Sequence, residues 1–107
     1  MVRRSNKFYI VFLTKIKRQN LRRIIKNLEF IDKWLFGFNV NEDKSISHYH
    51  IYIETNEIYS LRNIFDFFYL IKEFNEYEDS IRVCVACQET IPHIKKTNTV
   101  IFTNFNV

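Results

Sequence analysis

Two histidines separated by one residue are the side chains of this chain best suited to chemistry. His48 and His50 lie in residues 46–55, a run rich in Ile and Tyr that favours a strand. Residues i and i+2 of a strand project from the same face, so both imidazoles can reach one metal ion. The alternating residues predicted to face the core are Tyr49, Ile51 and Ile53. A half-exposed polar pair on an amphipathic strand is the alternative interpretation.

Composition limits the classes of protein to which the chain can belong. Its 107 residues, 47% hydrophobic and 17% aromatic, suit one domain over residues 1–107 with a single core. One glycine and one proline argue against a glycine-rich phosphate-binding loop and against low complexity. No apolar run reaches the roughly 18 residues of a membrane helix, and the N-terminus lacks a signal-peptide pattern. We therefore expect an intracellular protein with no membrane partner.

The positive charge is concentrated near the N-terminus. The net charge is +4, and residues 1–28 contain no acidic side chain. Such a basic segment favours a polyanionic partner and here predicts nucleic acid, with an ordinary solvated face as the alternative. The predicted phosphate contacts are Arg3, Arg4, Lys15, Lys17, Arg18, Arg22 and Arg23.

The two cysteines form a C-x-x-C pattern within a predicted strand. Cys84 and Cys87 have no second cysteine pair with which to build a zinc site. A redox motif would normally stand at the start of a helix. Buried free thiols are therefore the favoured interpretation.

The predicted elements follow the order βαββαβ. They are a strand at 7–14, an amphipathic helix at 19–28, a hairpin of strands at 33–41 and 46–55, a helix at 61–74 capped by Ser60, and a strand at 80–88. The sequence leaves the apolar tail around residues 100–105 open between helix and strand. This order predicts a ferredoxin-like α+β fold, a topology shared with RRM modules, with a C-terminal segment added. Its antiparallel sheet would carry helices on one face and the histidines mid-sheet on the open face.

On these residues the chain resembles the HUH (His-hydrophobic-His) endonuclease superfamily, the single-strand nickases of rolling-circle replication and mobile DNA. His48-Tyr49-His50 matches the pattern that gives the family its name. Phe12-Leu13-Thr14 is similar to the Phe-Thr-like signature that ends a central strand in the family. The element order matches as well, and the likeness is closest to small viral or plasmid replication initiators (Rep proteins).

The resemblance implies a bound Mn²⁺ or Mg²⁺. In the family two histidines and a third polar side chain hold the ion, and imidazole ligands with one carboxylate suit Mn²⁺ better than a strict Mg²⁺ site. Glu42 is the first candidate for the third ligand, with Asn39 and Asn41 as alternatives. Glu54 shares the histidine face but lies roughly 13 Å along the strand from His50, too far for one ion.

The resemblance also implies a nucleophilic tyrosine on a helix after the fourth strand, often as Y-x-x-K. No tyrosine follows Tyr77. We predict that Phe102 takes this position, naturally or through a deliberate Tyr→Phe change; a truncated or degenerate chain is the alternative. Tyr69 begins a literal Y-x-x-K, but it falls before the fourth strand and is predicted to be structural. His93 is predicted to lie in a surface loop, with a phosphate or metal contact as the alternative.

The implied function is a replication initiator that nicks and joins single-stranded DNA at an origin through a 5′-phosphotyrosine intermediate. Tyr52, on the expected open face, would stack on a base. Separate helicase or host replication proteins would unwind the duplex in the cytoplasm or nucleus of a host cell. The alternatives are a non-catalytic RRM-like nucleic-acid-binding module and a dimeric single-strand transposase of the same superfamily.

Overall fold

The computed structural model describes residues 3–40, 47–77, 80–97 and 100–106. Its strands are β1 (Arg4–Thr14), β2 (Ile31–Val40), β3 (Ser47–Ser60), β4 (Arg82–Val85) and β5 (Val100–Thr103). Its α-helices are α1 (Arg18–Lys26), α2 (Leu61–Tyr69) and α3 (Thr90–Thr97), and Lys72–Phe74 forms a short 3-10 helix. None of the helices in these ranges combines the length and the apolar character needed to cross a membrane.

The strands form one antiparallel sheet in the order β4-β1-β3-β2-β5. As predicted, the histidine strand β3 is central, because β1 and β2 pair with its two edges. A small α+β domain with an antiparallel sheet is thus confirmed, and it is consistent with the ferredoxin-like class. The apolar tail, which the sequence left open between helix and strand because a short apolar run suits either element, forms a fifth strand. Helix α3 precedes it, in a stretch for which the sequence predicted no helix.

The larger core lies between one face of the sheet and helices α1 and α2. Leu21 and Ile25, one turn apart on α1, are buried, as are Ile64 and Phe68 on α2. These side chains pack against odd-numbered residues of β3 such as Ile51. The Ser60 cap is confirmed, because its Oγ accepts a hydrogen bond from the amide of Asn63, 3.1 Å away.

The opposite face of the sheet was predicted to be open, and that prediction is wrong. Helix α3 covers part of it, with Ile94 fully buried against Leu35 and Tyr52. Ile101 and Phe105 pack against the same cluster. The physical reason is that this face is apolar over β2 and β3, and burying one isoleucine side chain contributes about 1.5–3 kcal/mol. The histidines therefore lie beside a docked helix.

Candidate functional site

Strand β3 projects both histidines from the face that α3 partly covers. Their ring centroids are 4.7 Å apart, as the two-residue spacing requires. His50 is flanked by Val11 on β1 and by Gly37 on β2, and His48 is paired with Leu13 on β1. Gly37 is the only glycine of the chain, so β2 places no side chain beside the ring of His50. The predicted arrangement of two imidazoles on one face is confirmed.

Both imidazoles are held in the neutral form. Partial burial lowers the pKa of His48. Burial lowers the pKa of His50 to about 4, and the neighbouring charges of His48 and His93 add to this effect. Neutral imidazole is the form with a lone pair that can bind a metal ion. At neutral pH the pair is therefore ready to act as a ligand without first losing protons.

Tyr9 on β1 contacts the histidine pair, and sequence reasoning did not single out this residue. Its Oη lies 2.7 Å from Nδ1 of His50, and the two rings stack with their centroids 6.0 Å apart. Burial raises the pKa of the Tyr9 phenol, and the nearby Cys84 thiol adds to that. The alternation of side chains along a strand could have identified Tyr9 from the sequence. If Phe8 and Ile10 face the core, Tyr9 must face the histidines.

His93 lies within α3 and not in the predicted surface loop. Its exposed ring stands edge-on to His50 and to Tyr9, with a centroid distance of 6.4 Å to each. Ile94, the next residue, is buried against the sheet and holds the helix at this distance. Thus three imidazoles and one phenol lie together.

The third metal ligand is not identified among these side chains. Glu42 and Asn41 lie outside the described residues, and Asn39 is paired with His48 in the strand register. Glu54 accepts a 2.8 Å hydrogen bond from Tyr52. Within the described ranges no three His, Cys, Asp or Glu side chains are close enough together to hold a metal ion. The part of the chain described here therefore offers two adjacent imidazole ligands.

Phe102, the predicted nucleophile position, lies on the face of the sheet opposite to the histidines. Phe102 pairs with Phe36 on β2, and the two rings stack with their centroids 5.3 Å apart. Both belong to the core beneath α1 and α2. Because side chains alternate along a strand, this core and His50 lie on opposite faces of the sheet. A side chain at position 102 cannot reach a phosphate held at the histidines.

Tyr69, the alternative nucleophile, lies on the side of the sheet that α1 and α2 cover. It is the last residue of α2, and its ring stacks on Phe65 with a centroid distance of 5.7 Å. Helix α2 packs on the face of the sheet opposite to the histidines. Tyr69 is therefore removed from the site by the thickness of the sheet.

Tyr52 does point to the histidine face, but it is not accessible for stacking on a base. Its side chain is 4% exposed because Ile94 of α3 and Phe105 pack against it. Its hydroxyl donates a hydrogen bond to Glu54. Burial is the main cause that raises the pKa of the phenol, and this hydrogen bond adds to it. The expected base platform is thus part of a small second core.

The basic residues are spread over three places. Lys15, Lys17 and Arg18 follow the end of β1 that pairs with the start of β3, next to His48. Arg3 and Arg4 lie at the other end of β1, roughly 30 Å away at about 3.3 Å per residue. Arg22 and Arg23 lie on α1, in the layer beneath the sheet. The first group is the nearest to His48 in the strand register. Within that group, however, Arg18 packs over the ring of Phe38 on the face of the sheet that α1 and α2 cover, and Lys15 lines a pocket with Arg23 of α1.

The two thiols were predicted to be buried and free. Cys84 and Cys87 are indeed free, but the prediction of burial is wrong, since both are exposed. Strand β4 is an edge strand, and Cys84, the partner of Tyr9, points to the face that α3 leaves uncovered there. Cys87 follows the strand, and its Sγ lies 3.2 Å from a carboxylate oxygen of Glu89.

Comparisons of the chain with protein-family models, curated proteins and solved structures gave no match. The endonuclease interpretation therefore depends on the histidine pair, its neighbours and the order of the strands.

Proposed function

We propose that this protein binds a divalent metal ion and nicks and rejoins single-stranded DNA, as a replication initiator does at an origin. The observation that carries the proposal is the neutral pair His48 and His50 on one face of the central strand, 4.7 Å apart between ring centroids. Two imidazoles at this separation can share one ion.

The two imidazoles would hold Mn²⁺ in preference to Mg²⁺, since nitrogen ligands suit Mn²⁺ better. The remaining positions would be filled by water, by the DNA phosphate and by Glu42, which remains the predicted third ligand. When bound, such an ion polarises a phosphodiester and stabilises the departing oxygen.

Cationic side chains flank the histidine pair in two directions. Arg82 pairs with Val11, which pairs with His50, so Arg82 is exposed on the same face and two strands away. Lys15 and Lys17 are exposed in the segment that follows β1, at the end of the sheet where His48 lies. A strand of DNA running across the face from β4 towards this loop would meet positive charge on both sides of the site.

Two other functions remain as alternatives to the initiator. A transposase of the same superfamily would use the same site on a different DNA. The RRM-like module loses support, because RRM modules stack bases on aromatic side chains of an open sheet face. Here Tyr52 on that face is covered by α3.

The proposal is tested by metal binding and DNA cleavage together. Calorimetry and Mn²⁺ electron paramagnetic resonance should show one site per chain that His48→Ala abolishes. Glu54→Gln is the matched control, because it alters the same strand and face without touching the histidines. In parallel, Mn²⁺ should support cleavage of a labelled pool of random single-stranded oligonucleotides. Metal binding that His48→Ala leaves unchanged, or the absence of any DNA cleavage, contradicts the proposed function.

A further inference from the structure

Two side chains able to form a covalent bond with phosphorus contact the histidine pair within the described residues. They are Tyr9, whose hydroxyl meets His50, and His93, whose ring faces both of them from α3. The other candidate positions, Phe102 and Tyr69, lie on the opposite side of the sheet. Among the side chains that contact the histidine pair in the part of the chain that the structure describes, the choice of nucleophile is therefore between Tyr9 and His93.

Tyr9 is poorly suited to attack a phosphate. Its hydroxyl is engaged in a hydrogen-bond contact 2.7 Å from Nδ1 of His50, and its ring is half-buried and stacked on that imidazole, with the centroids 6.0 Å apart. Attack on a phosphate would require the hydroxyl to leave this contact with His50 and the ring to leave its stacked position.

Neither the hydrogen bond nor the burial that restricts Tyr9 applies to His93. Its side chain is exposed, and its ring makes no hydrogen bond to any part of the chain that the structure describes. A neutral imidazole attacks through a lone pair that it already carries, so it needs no neighbouring base. The burial of Ile94 anchors α3 against the sheet, which fixes the direction from which His93 approaches. Lys96, three residues later, is exposed on the same side of the helix and adds positive charge beside the reacting phosphate.

We propose that His93 is the nucleophile of the strand-transfer reaction, so that the covalent intermediate is a phosphohistidine. This inference rests on the proposed function. A ring nitrogen of His93 forms a bond to phosphorus as the bond from phosphorus to the 3′ oxygen breaks. The 3′ oxygen leaves with the electron pair and takes up a proton, while the imidazole releases its N–H proton to solvent. The 5′ phosphate is then held as a phosphoramidate, and attack by a 3′-hydroxyl reverses both steps.

The chemistry of the adduct distinguishes His93 from Tyr9. The protein is incubated with Mn²⁺ and the labelled random single-stranded pool, denatured, and divided between mild acid and alkali. A phosphoramidate is lost in acid and survives alkali, whereas a phosphotyrosine survives acid. We expect an acid-labile adduct that mass spectrometry places on the 90–97 peptide and that His93→Ala removes. An acid-stable adduct that Tyr9→Phe removes overturns the proposal, and so does cleavage without any adduct.

Two further variants separate a nucleophile from a ligand and from a structural residue. His93→Ala should leave the Mn²⁺ affinity within about twofold of the wild-type value, and a decrease of about tenfold or more would make His93 a metal ligand and overturn the proposal. His93→Tyr should form an acid-stable adduct, because it keeps a nucleophile at the same position. Phe102→Tyr is the matched control and should form none beyond the wild-type level. If the wild type binds Mn²⁺ and cleaves DNA but the adduct and the His93 variants do not behave as expected, the assignment of His93 is wrong and the proposed function is retained.

Discussion

The phenol oxygen of Tyr9 lies 2.7 Å from Nδ1 of His50, and this contact decides which nitrogen of the imidazole remains for other partners. If Nδ1 carries the proton and donates it to the phenol oxygen, Nε2 presents a lone pair. If the phenol donates to Nδ1, Nε2 carries the proton and cannot bind a metal ion. Metal binding thus requires the first arrangement, in which Tyr9 acts as the outer partner that orients a ligand.

Removing the hydroxyl of Tyr9 should weaken metal binding. In Tyr9→Phe the ring still occupies its position on the face of the sheet, but no atom of the side chain accepts the Nδ1 proton of His50. Removal of such an outer partner typically lowers metal affinity by about 10–100-fold. Titration with Mn²⁺ followed by electron paramagnetic resonance measures the change.

Tyr52→Phe is the control for this prediction. Tyr52 pairs with Tyr9 across the strands and also loses a hydroxyl hydrogen bond, but its partner is Glu54. Mn²⁺ affinity should stay within about twofold of the wild-type value in this variant. An equal decrease of affinity in both variants would mean that Tyr9 acts only through general packing.

Acid should destabilise the metal-free protein partly through His50. Its pKa in the folded chain is about 4, lowered by burial and then by His48 and His93, whereas an unfolded chain takes up this proton near 6.5. Because the unfolded state binds the proton more readily, the stabilising contribution is fully present above about pH 6.5 and is lost as the pH falls towards 4.

The matching variant is His50→Gln, which cannot be protonated. Thermal unfolding of both proteins between about pH 7 and pH 4 should show a larger fall in Tm for the wild type. The carboxylates titrate in both proteins, so the difference between the two curves isolates the imidazole. Parallel curves would show that the environment of His50 does not hold it neutral.

Local rules predicted one half of the site, and the other half depends on how distant segments meet. His48 and His50 share a face because alternation along a strand is a property of the strand alone. Tyr9 on β1 contacts His50 diagonally on the adjacent strand β3. That contact depends on the register between the two strands, which is set by the whole of β1 and β3. Phe102 was misplaced for a similar reason, since its face depends on the pairing of β5 with β2.

The order of the strands was easier to predict from the sequence than helix α3, which places His93 beside His50. The pattern βαββαβ implies a central third strand, and the structure has β3 there. In α3 only Ile91 and Ile94 mark an apolar side, which is too short a pattern to distinguish from a loop. Its docking is decided by the apolar residues opposite, Leu35 and Tyr52, which lie far away in sequence.

Helix α3 should detach when its buried anchor is shortened. Ile94→Ala removes a fully buried side chain and should cost about 2–5 kcal/mol of unfolding free energy. The exposure of Tyr52 should rise at the same time, since Ile94 covers it. Urea titration followed by tyrosine fluorescence quenching with acrylamide measures both effects.

Lys95→Ala is the matched control, because Lys95 is the exposed neighbour of Ile94 on the same helix. It should change the unfolding free energy by no more than about 0.5 kcal/mol. If Ile94→Ala changes the unfolding free energy equally little, the contact of Ile94 with the sheet does not hold α3 in position.

The end of β1 beside His48 should bind DNA phosphates, and its other end should not. Lys15 and Lys17 follow the end of β1 that pairs with the histidine end of β3, whereas Arg4 pairs with Ser60 at the far end of β3. Changing both lysines to alanine should lower the salt dependence of single-stranded DNA binding by about 0.7 in the logarithmic slope for each phosphate that is no longer neutralised. Fluorescence anisotropy across a range of salt concentrations gives this slope. Arg4→Ala removes a positive charge at the distant end, so its slope should stay at the wild-type value. A larger decrease of the slope in Arg4→Ala than in the lysine variant would mean that DNA follows a path away from the histidines.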